Sequence, residues 1–230
     1  NLGKPTCQLW FEKNKPEEGE SFPSNFVMNM MLGDIVEAVF KGLLRQADVA
    51  YDDAKKVSLE LDNETTVEGT YDIVIDDAVD DIKSASDWSY RNKFESFASL
   101  ADGDAFGYIG QLAGYAKALN KRAGGWWVIN KANGQFKYVP AEGIDMNKEV
   151  KKLSSNADVV KKNKFKRCFE PVEETFRGKP TGNKILGTTC SFCRFKHLCW
   201  KNLQELPSIM SQAKDPKIVS YVEIGKEKLI

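Results

Sequence analysis

Gly69-Thr70-Tyr71-Asp72, followed by Asp81-Ile82-Lys83, is the stretch on which the reading of this chain turns. Residues 71–75 and 79–83 have strand character, and Asp76-Asp77 between them tolerates the backbone angles of a tight two-residue turn. A hairpin built this way sets Asp72 directly across from Asp81. Side chains alternate faces along a strand, so Asp72, Asp81 and Lys83 fall on one face and Ile73, Ile75 and Ile82 on the other. Two opposed carboxylates, with Cβ atoms roughly 5 Å apart, repel each other, and such a pair persists chiefly when a cation lies between them. A divalent metal with a lysine beside it satisfies the pattern. A polar surface hairpin with solvated acids satisfies it too.

At 230 residues the chain can bury a core, and it reads as a single domain. Its 33 basic and 33 acidic residues balance, so overall charge argues neither for nor against a nucleic-acid partner. The distribution is more informative. Acids concentrate between Asp52 and Asp104, whereas Lys148, Lys151, Lys152, Lys161, Lys162, Lys164, Lys166 and Arg167 make a later stretch basic. A basic flank can hold phosphates while an acidic centre holds metal, although solvated helix faces are also lysine-rich. No apolar run is long enough to span a bilayer, and no charged-then-apolar signal segment opens the sequence, so a cytoplasmic protein without a membrane partner is expected. Asn1 rather than Met begins the sequence, which leaves room for a preceding segment or a removed presequence.

Residues 24–44 predict a helix with Ser24 as N-cap and apolar residues on nearly every side, the mark of a buried helix. Glu37 lies on the side that also carries Phe26, Met30, Phe40 and Leu44, where a carboxylate is costly unless a cation or donor meets it. It is a candidate third acid, unless that side is open to water. Residues 56–61 predict a strand pairing with the central hairpin. Residues 88–100 predict a helix whose Arg91 and Lys93 can reach a phosphate. Asp104 caps a further helix running to about Asn120, on which Gln111 and Tyr115 share a face. Asn133-Gly134 marks a second hairpin between residues 126–130 and 135–139, and a mostly helical region follows over residues 146–176.

Cys190, Cys193 and Cys199 form a C-x2-C-x5-C group, with Cys7 far away and Cys168 a fifth cysteine. In a cytoplasmic protein clustered thiols are more often metal ligands than disulfides. Zinc could take Cys190, Cys193, His197 and Cys199, though the nearness of His197 to Cys199 makes a closed tetrahedron awkward. An iron–sulfur cluster would use thiolates alone, with Cys7 as the fourth. Spacing does not choose between them. Cys168 reads as a small buried residue.

Taken in order, Glu37 after Gly33, Gly69-Thr70-Tyr71-Asp72, Asp81-Ile82-Lys83, Gln111-Leu112-Ala113-Gly114-Tyr115 and the three-cysteine tail resemble the PD-(D/E)XK nuclease superfamily. The similarity is to its RecB-like branch, with G-x-x-D, (D/E)-x-K and Q-x-x-x-Y motifs, and within it to iron–sulfur exonucleases of the AddB and CRISPR-associated type and their phage-encoded single-domain relatives. It spans Cys7 to Trp200, and the ordered set is far more specific than any one motif. The resemblance implies an α/β (α+β) fold: a restriction-endonuclease-like mixed sheet flanked by helices, with a helical arm closed by an iron–sulfur cluster. Cys7 and residues 186–204 would form the cluster module.

The resemblance makes Glu37, Asp72 and Asp81 ligands of magnesium or manganese, with the main-chain carbonyl of Ile82 completing the coordination and Lys83 as the catalytic lysine. Glu37 stands where many members have histidine. Gln111 and Tyr115 would help to place the DNA backbone. Cys7, Cys190, Cys193 and Cys199 match the ligands of a [4Fe–4S] cluster, favoured over zinc. Arg194, Lys196 and Lys201 would line a path for DNA. The implied activity is metal-dependent exonucleolytic hydrolysis of DNA in recombination, replication or phage DNA metabolism, in the host cytoplasm if phage-encoded. An endonuclease acting on junctions or flaps, a spacer-trimming nuclease and a catalytically silent DNA-binding module are the alternatives. No G-x-x-x-x-G-K-[ST] phosphate loop occurs, so unwinding would fall to a helicase partner; a single-strand annealing protein is another candidate partner.

Overall fold

The computed structural model describes residues 1–62 and 64–225. In chain order the elements are α1 (Thr6–Asn14), α2 (Ser24–Gln46), β1 (Asp52–Asp53), β2 (Lys56–Glu60), β3 (Thr66–Thr70), β4 (Ile73–Ile75), β5 (Ala78–Ala85), α3 (Phe97–Asp102), α4 (Tyr108–Ala118), β6 (Arg122–Asn130), β7 (Phe136–Pro140), α5 (Met146–Lys161), β8 (Val172–Phe176), β9 (Lys179–Ile185), α6 (Thr188–Ser191), α7 (Lys196–Cys199), β10 (Gln204–Pro207) and β11 (Ile218–Glu223). Where the sequence suggests one domain, these elements divide into two compact units: Asn1–Lys4 with Pro23–Lys162, and Pro5–Phe22 with Asn163–Ile230.

The first unit is a mixed five-stranded sheet in the order β1-β4-β5-β6-β7 with helices on its faces, the α+β arrangement expected. Only β5 and β6 run parallel, and α3 and α4 form the crossover between them. The β4–β5 hairpin has the register read from the sequence: Ile73 faces Asp80, so Asp72 continues opposite Asp81. Asp76 and Asp77, at φ 48° and 60°, make the two-residue turn that matches strand twist. Odd-numbered residues of β5 lie under α4, where Val74, Val79, Trp126 and Val128 pack with Leu112 and Ala116. Even-numbered ones face α2, where Ile73, Ile82 and Ile129 pack with Phe40 and Leu44. The β6–β7 hairpin turns at Asn133-Gly134, with Gly134 at φ 77°.

Four local expectations are corrected. The α2 helix forms but is not enclosed: its buried residues are Phe40, Lys41 and Leu44, while Phe26, Met28, Met30, Met31 and Val39 are exposed. The β2 strand pairs with β3 in a separate two-stranded sheet, not with the central hairpin. Residues 88–100 break into a π turn at Ser89–Lys93 and α3, whose N-cap Ser96 accepts from the Ser99 amide. The stretch read as helical to residue 176 ends at Lys161. It gives way to the β8–β9 hairpin, turned by Arg177 and Gly178 at φ 52° and 77°.

The second unit, expected as a helical arm, is built instead on a four-stranded antiparallel sheet in the order β10-β11-β9-β8, joined by α1 and the short α6 and α7. Glu174 is buried within it but satisfied, accepting from Thr181, Asn183 and Tyr221. Among the described residues no helix is long and apolar enough to cross a membrane.

Candidate functional site

Asp72, Asp81 and Lys83 converge beneath α4. Asp81 is 2% exposed, and the Lys83 ammonium stands 2.6 Å from its Oδ2. Lys83 is its charged partner, and among the described residues no backbone amide donates to either oxygen of Asp81. Asp72 is held from the strand edge, its Oδ2 accepting the Ile82 amide at 2.7 Å. Burial, then the neighbouring Asp81, pushes the Asp72 carboxyl up to about 6. Burial raises Asp81 as well, against the pull of Lys83. For Lys83 burial works downward, but Asp81 and Asp72 win and hold the ammonium charged. A half-buried and a buried carboxyl, both resisting ionisation beside one ammonium, offer hard oxygen donors, the ligand chemistry of magnesium or manganese.

Glu37 reaches this site only electrostatically. It adds to the proton affinity of Asp81, but its Oε1 is 2.6 Å from Lys41, which also binds Asp53 at 2.8 Å. Lys41 is thus the cation whose need the sequence signalled. Among the described residues Glu37, Asp72 and Asp81 do not bring one oxygen each within 4.8 Å of one another. Ile82 contributes its amide to Asp72 and its side chain to the core under α2.

The two halves of the motif set touch at Gly69 and Tyr115. A Cβ on Gly69 would lie 2.6 Å from Tyr115 Cε1, so the first residue of G-x-x-D is glycine because the last residue of Q-x-x-x-Y lies against it. Gln111 Nε2 donates to the Tyr115 hydroxyl at 3.1 Å. Both line a cavity of about 470 Å³ between α4, α5 and the β2–β3 hairpin. The α4 residue that meets Lys83 is Tyr108, whose ring centroid is 5.3 Å from the ammonium. Sequence reasoning missed it, although Tyr108, Gln111 and Tyr115 are spaced to share one helical face. Asp104 caps α4 as expected, accepting from the Tyr108 and Ile109 amides.

Arg91 is exposed and paired with Asp87 at 2.9 Å. Lys93 lies over the Phe106 and Tyr108 rings at 4.7 and 4.6 Å, and burial lowers its pKa. In the second unit Lys196 pairs with Glu205 at 2.7 Å and with Glu20 at 3.5 Å. Arg194 donates to Gly19 and lies over Phe22 and Phe195, so both cations already have partners. His197 bridges Glu20 and Glu205 at 2.8 and 3.1 Å rather than joining the thiols.

All five cysteines belong to the second unit. Burial raises Cys190, to about 11, and raises Cys193 and Cys199. Cys168 is not a buried spacer: it is exposed, and its Sγ accepts the Cys7 amide at 3.1 Å and contacts Thr6 Oγ1 at 3.3 Å at the start of α1. Hydrogen bonding to Cys7 holds the Cys168 thiol down at about 5 and drives Cys7 up. Five thiols are therefore near one another. Among the described residues no three Sγ atoms lie mutually within 4.8 Å, whereas thiolates about 2.3 Å from one zinc would stand about 3.8 Å apart. The donor set is soft, the ligand chemistry of zinc and of iron–sulfur sites alike.

No protein-family model matches the chain, and no curated protein matches its sequence. Among solved structures it is similar to one described as "Crystal structure of SSO0001", with a TM-score of 0.51 and 13% identity, covering 86% of this chain and 82% of that one. At that identity the likeness establishes a shared fold.

Proposed function

We propose that this chain is a magnesium- or manganese-dependent nuclease that hydrolyses phosphodiester bonds at DNA ends. The observation that carries the reading is the placing of half-buried Asp72 beside buried Asp81, with the Lys83 ammonium 2.6 Å from Asp81. The ordered motifs support it. Asp72 and Asp81 would hold the metal, with Glu37 adding negative potential from behind Lys41. When bound, the metal would polarise the phosphate and acidify a coordinated water. Lys83, kept charged by both aspartates, would face the phosphate and offset charge developing on it. The Ile82 amide keeps Asp72 in place, and Tyr115 seated on Gly69 fixes α4 over the site.

The thiols of the second unit would hold a [4Fe–4S] cluster through Cys190, Cys193, Cys199 and Cys7. Cys193→Ser should lose bound iron and folded yield more than activity per folded molecule. A stable, iron-free, fully active variant would remove the structural role. Iron content of Cys7→Ser beside Cys168→Ser decides which of these neighbours is the fourth ligand.

The deciding experiment follows end-labelled linear single- and double-stranded DNA, beside a closed circle, in magnesium or manganese, with wild type and Asp81→Ala. Loss of linear DNA by wild type alone supports an exonuclease, and cutting of the circle moves the reading to an endonuclease. Inertness of both proteins with the cluster intact leaves a binding module.

A further inference from the structure

Phe106 ends a row of three aromatic rings that leads to the candidate site. Phe94 is buried at 3% exposure and stacks on Tyr108 with centroids 5.9 Å apart. Tyr108 stacks on Phe106 at 5.6 Å and 21°. Phe106 is 51% exposed. Lys93 stands over the last two rings and Lys83 over Tyr108, so a single ring separates Phe106 from the ammonium paired with Asp81.

Contacts at the start of α4 anchor the row. Asp104 binds two amides at the start of α4. Asn1 donates to the Phe106 carbonyl at 3.0 Å, and Gly107, at φ 71°, lies so close to Gly3 that a Cβ on it would meet the Gly3 backbone at 2.4 Å. A phenyl ring left half exposed, with Lys93 over it and Lys83 one ring away, has the chemistry of a nucleobase platform: the ring stacks a base while the ammonium groups attract its phosphates.

We infer that Phe106 is a stacking platform for one unpaired base of a DNA strand whose neighbouring phosphate lies at Asp72, Asp81 and Lys83, which makes single-stranded DNA the preferred substrate. One phenyl ring covers one base, not a base pair, and bases inside a duplex offer no free face. The inference rests on the nuclease reading for the identity of the phosphate site. Stacking itself is measurable without cleavage.

The test titrates wild type, Phe106→Ala and Phe106→Trp, without added divalent metal, into single-stranded oligonucleotides carrying 2-aminopurine and into the matching blunt duplex. Wild type should bind the single strand more tightly and quench the probe. Phe106→Ala should weaken that binding about ten-fold and abolish the quench, while leaving the salt slope unchanged because no phosphate contact is lost. Phe106→Trp should restore both. Equal binding and equal quench by wild type and Phe106→Ala would overturn the platform, as would tighter binding to the duplex. Cleavage by wild type with a KM for single strands unmoved by Phe106→Ala would discard the platform and keep the nuclease. A Phe106-dependent quench in a protein that cuts nothing would do the reverse, and no binding to either DNA would discard both.

Discussion

The two faces of β5 carry adjacent aspartates in opposite circumstances. On the α2 side Asp80, 4% exposed, accepts from the Tyr138 hydroxyl at 2.9 Å and the Trp127 indole at 3.1 Å. Gly124 leaves it space, since a Cβ there would lie 2.0 Å from Asp80 Oδ1. Burial raises its pKa, but the two donors pull back. On the α4 side Asp81 is as deeply buried, but it is met by the charged Lys83 rather than by neutral donors, and the partner across the hairpin is another acid. A buried carboxylate held by neutral donors belongs to the fold, whereas one pressed between a lysine and a second acid has the surroundings of a functional site.

The sharpest way to break this contrast is Asp81→Ala, which should lower metal-dependent DNA cleavage about a thousand-fold while leaving a folded protein. Wild-type rates would take Asp81 out of the site. Asp80→Ala should act in the opposite currency: about 3 kcal/mol of stability in denaturant titration, because Tyr138 and Trp127 lose their acceptor, with activity per folded molecule retained. A loss of turnover without a loss of stability would merge the two faces into one site. Glu37→Gln is expected to weaken metal-dependent cleavage by about ten-fold, far less than Asp81→Ala, since its carboxylate acts from behind Lys41. An effect as large as that of Asp81 would make it a direct ligand.

The smallest effect is on thermal stability. Asp72 has a folded pKa of about 6, above its ordinary value of 3.8. A raised acid contributes fully below the unfolded value and loses that contribution as pH rises through the folded one. The metal-free protein should therefore lose stability from this group between about pH 4 and pH 7. Magnesium or manganese, which needs the ionised pair, should raise the melting temperature by more at pH 7.5 than at pH 5.5. An equal shift at both would show that the bound cation does not depend on Asp72.

The residues that were legible in the sequence are those ruled by local geometry. Strand alternation and a two-residue turn put Asp72 opposite Asp81, Asn133-Gly134 turned the second hairpin, and Asp104 capped α4. Helical spacing also carried Tyr108 beside Gln111 and Tyr115, a signal left unread. The β8–β9 hairpin was not legible because Arg177-Gly178 is not one of the Asn-Gly or Asp-Gly pairs that mark a two-residue turn, although it takes the same left-handed geometry as Asp76-Asp77.

By itself, then, the sequence determined the Asp72–Asp81–Lys83 face, the order of the motifs and the thiol-rich composition of the tail, since each depends on neighbours a few residues apart or on side-chain chemistry alone. Tertiary structure alone decided the rest. It showed that Asp80 is met by Tyr138 and Trp127 while Asp81 is met by Lys83, that Lys41 reaches Asp53, that α2 stays largely open, and that Phe106 completes an aromatic row beside Lys83. Those outcomes hang on which distant segments meet, and the energy of a buried charge is set by what surrounds it in space rather than along the chain.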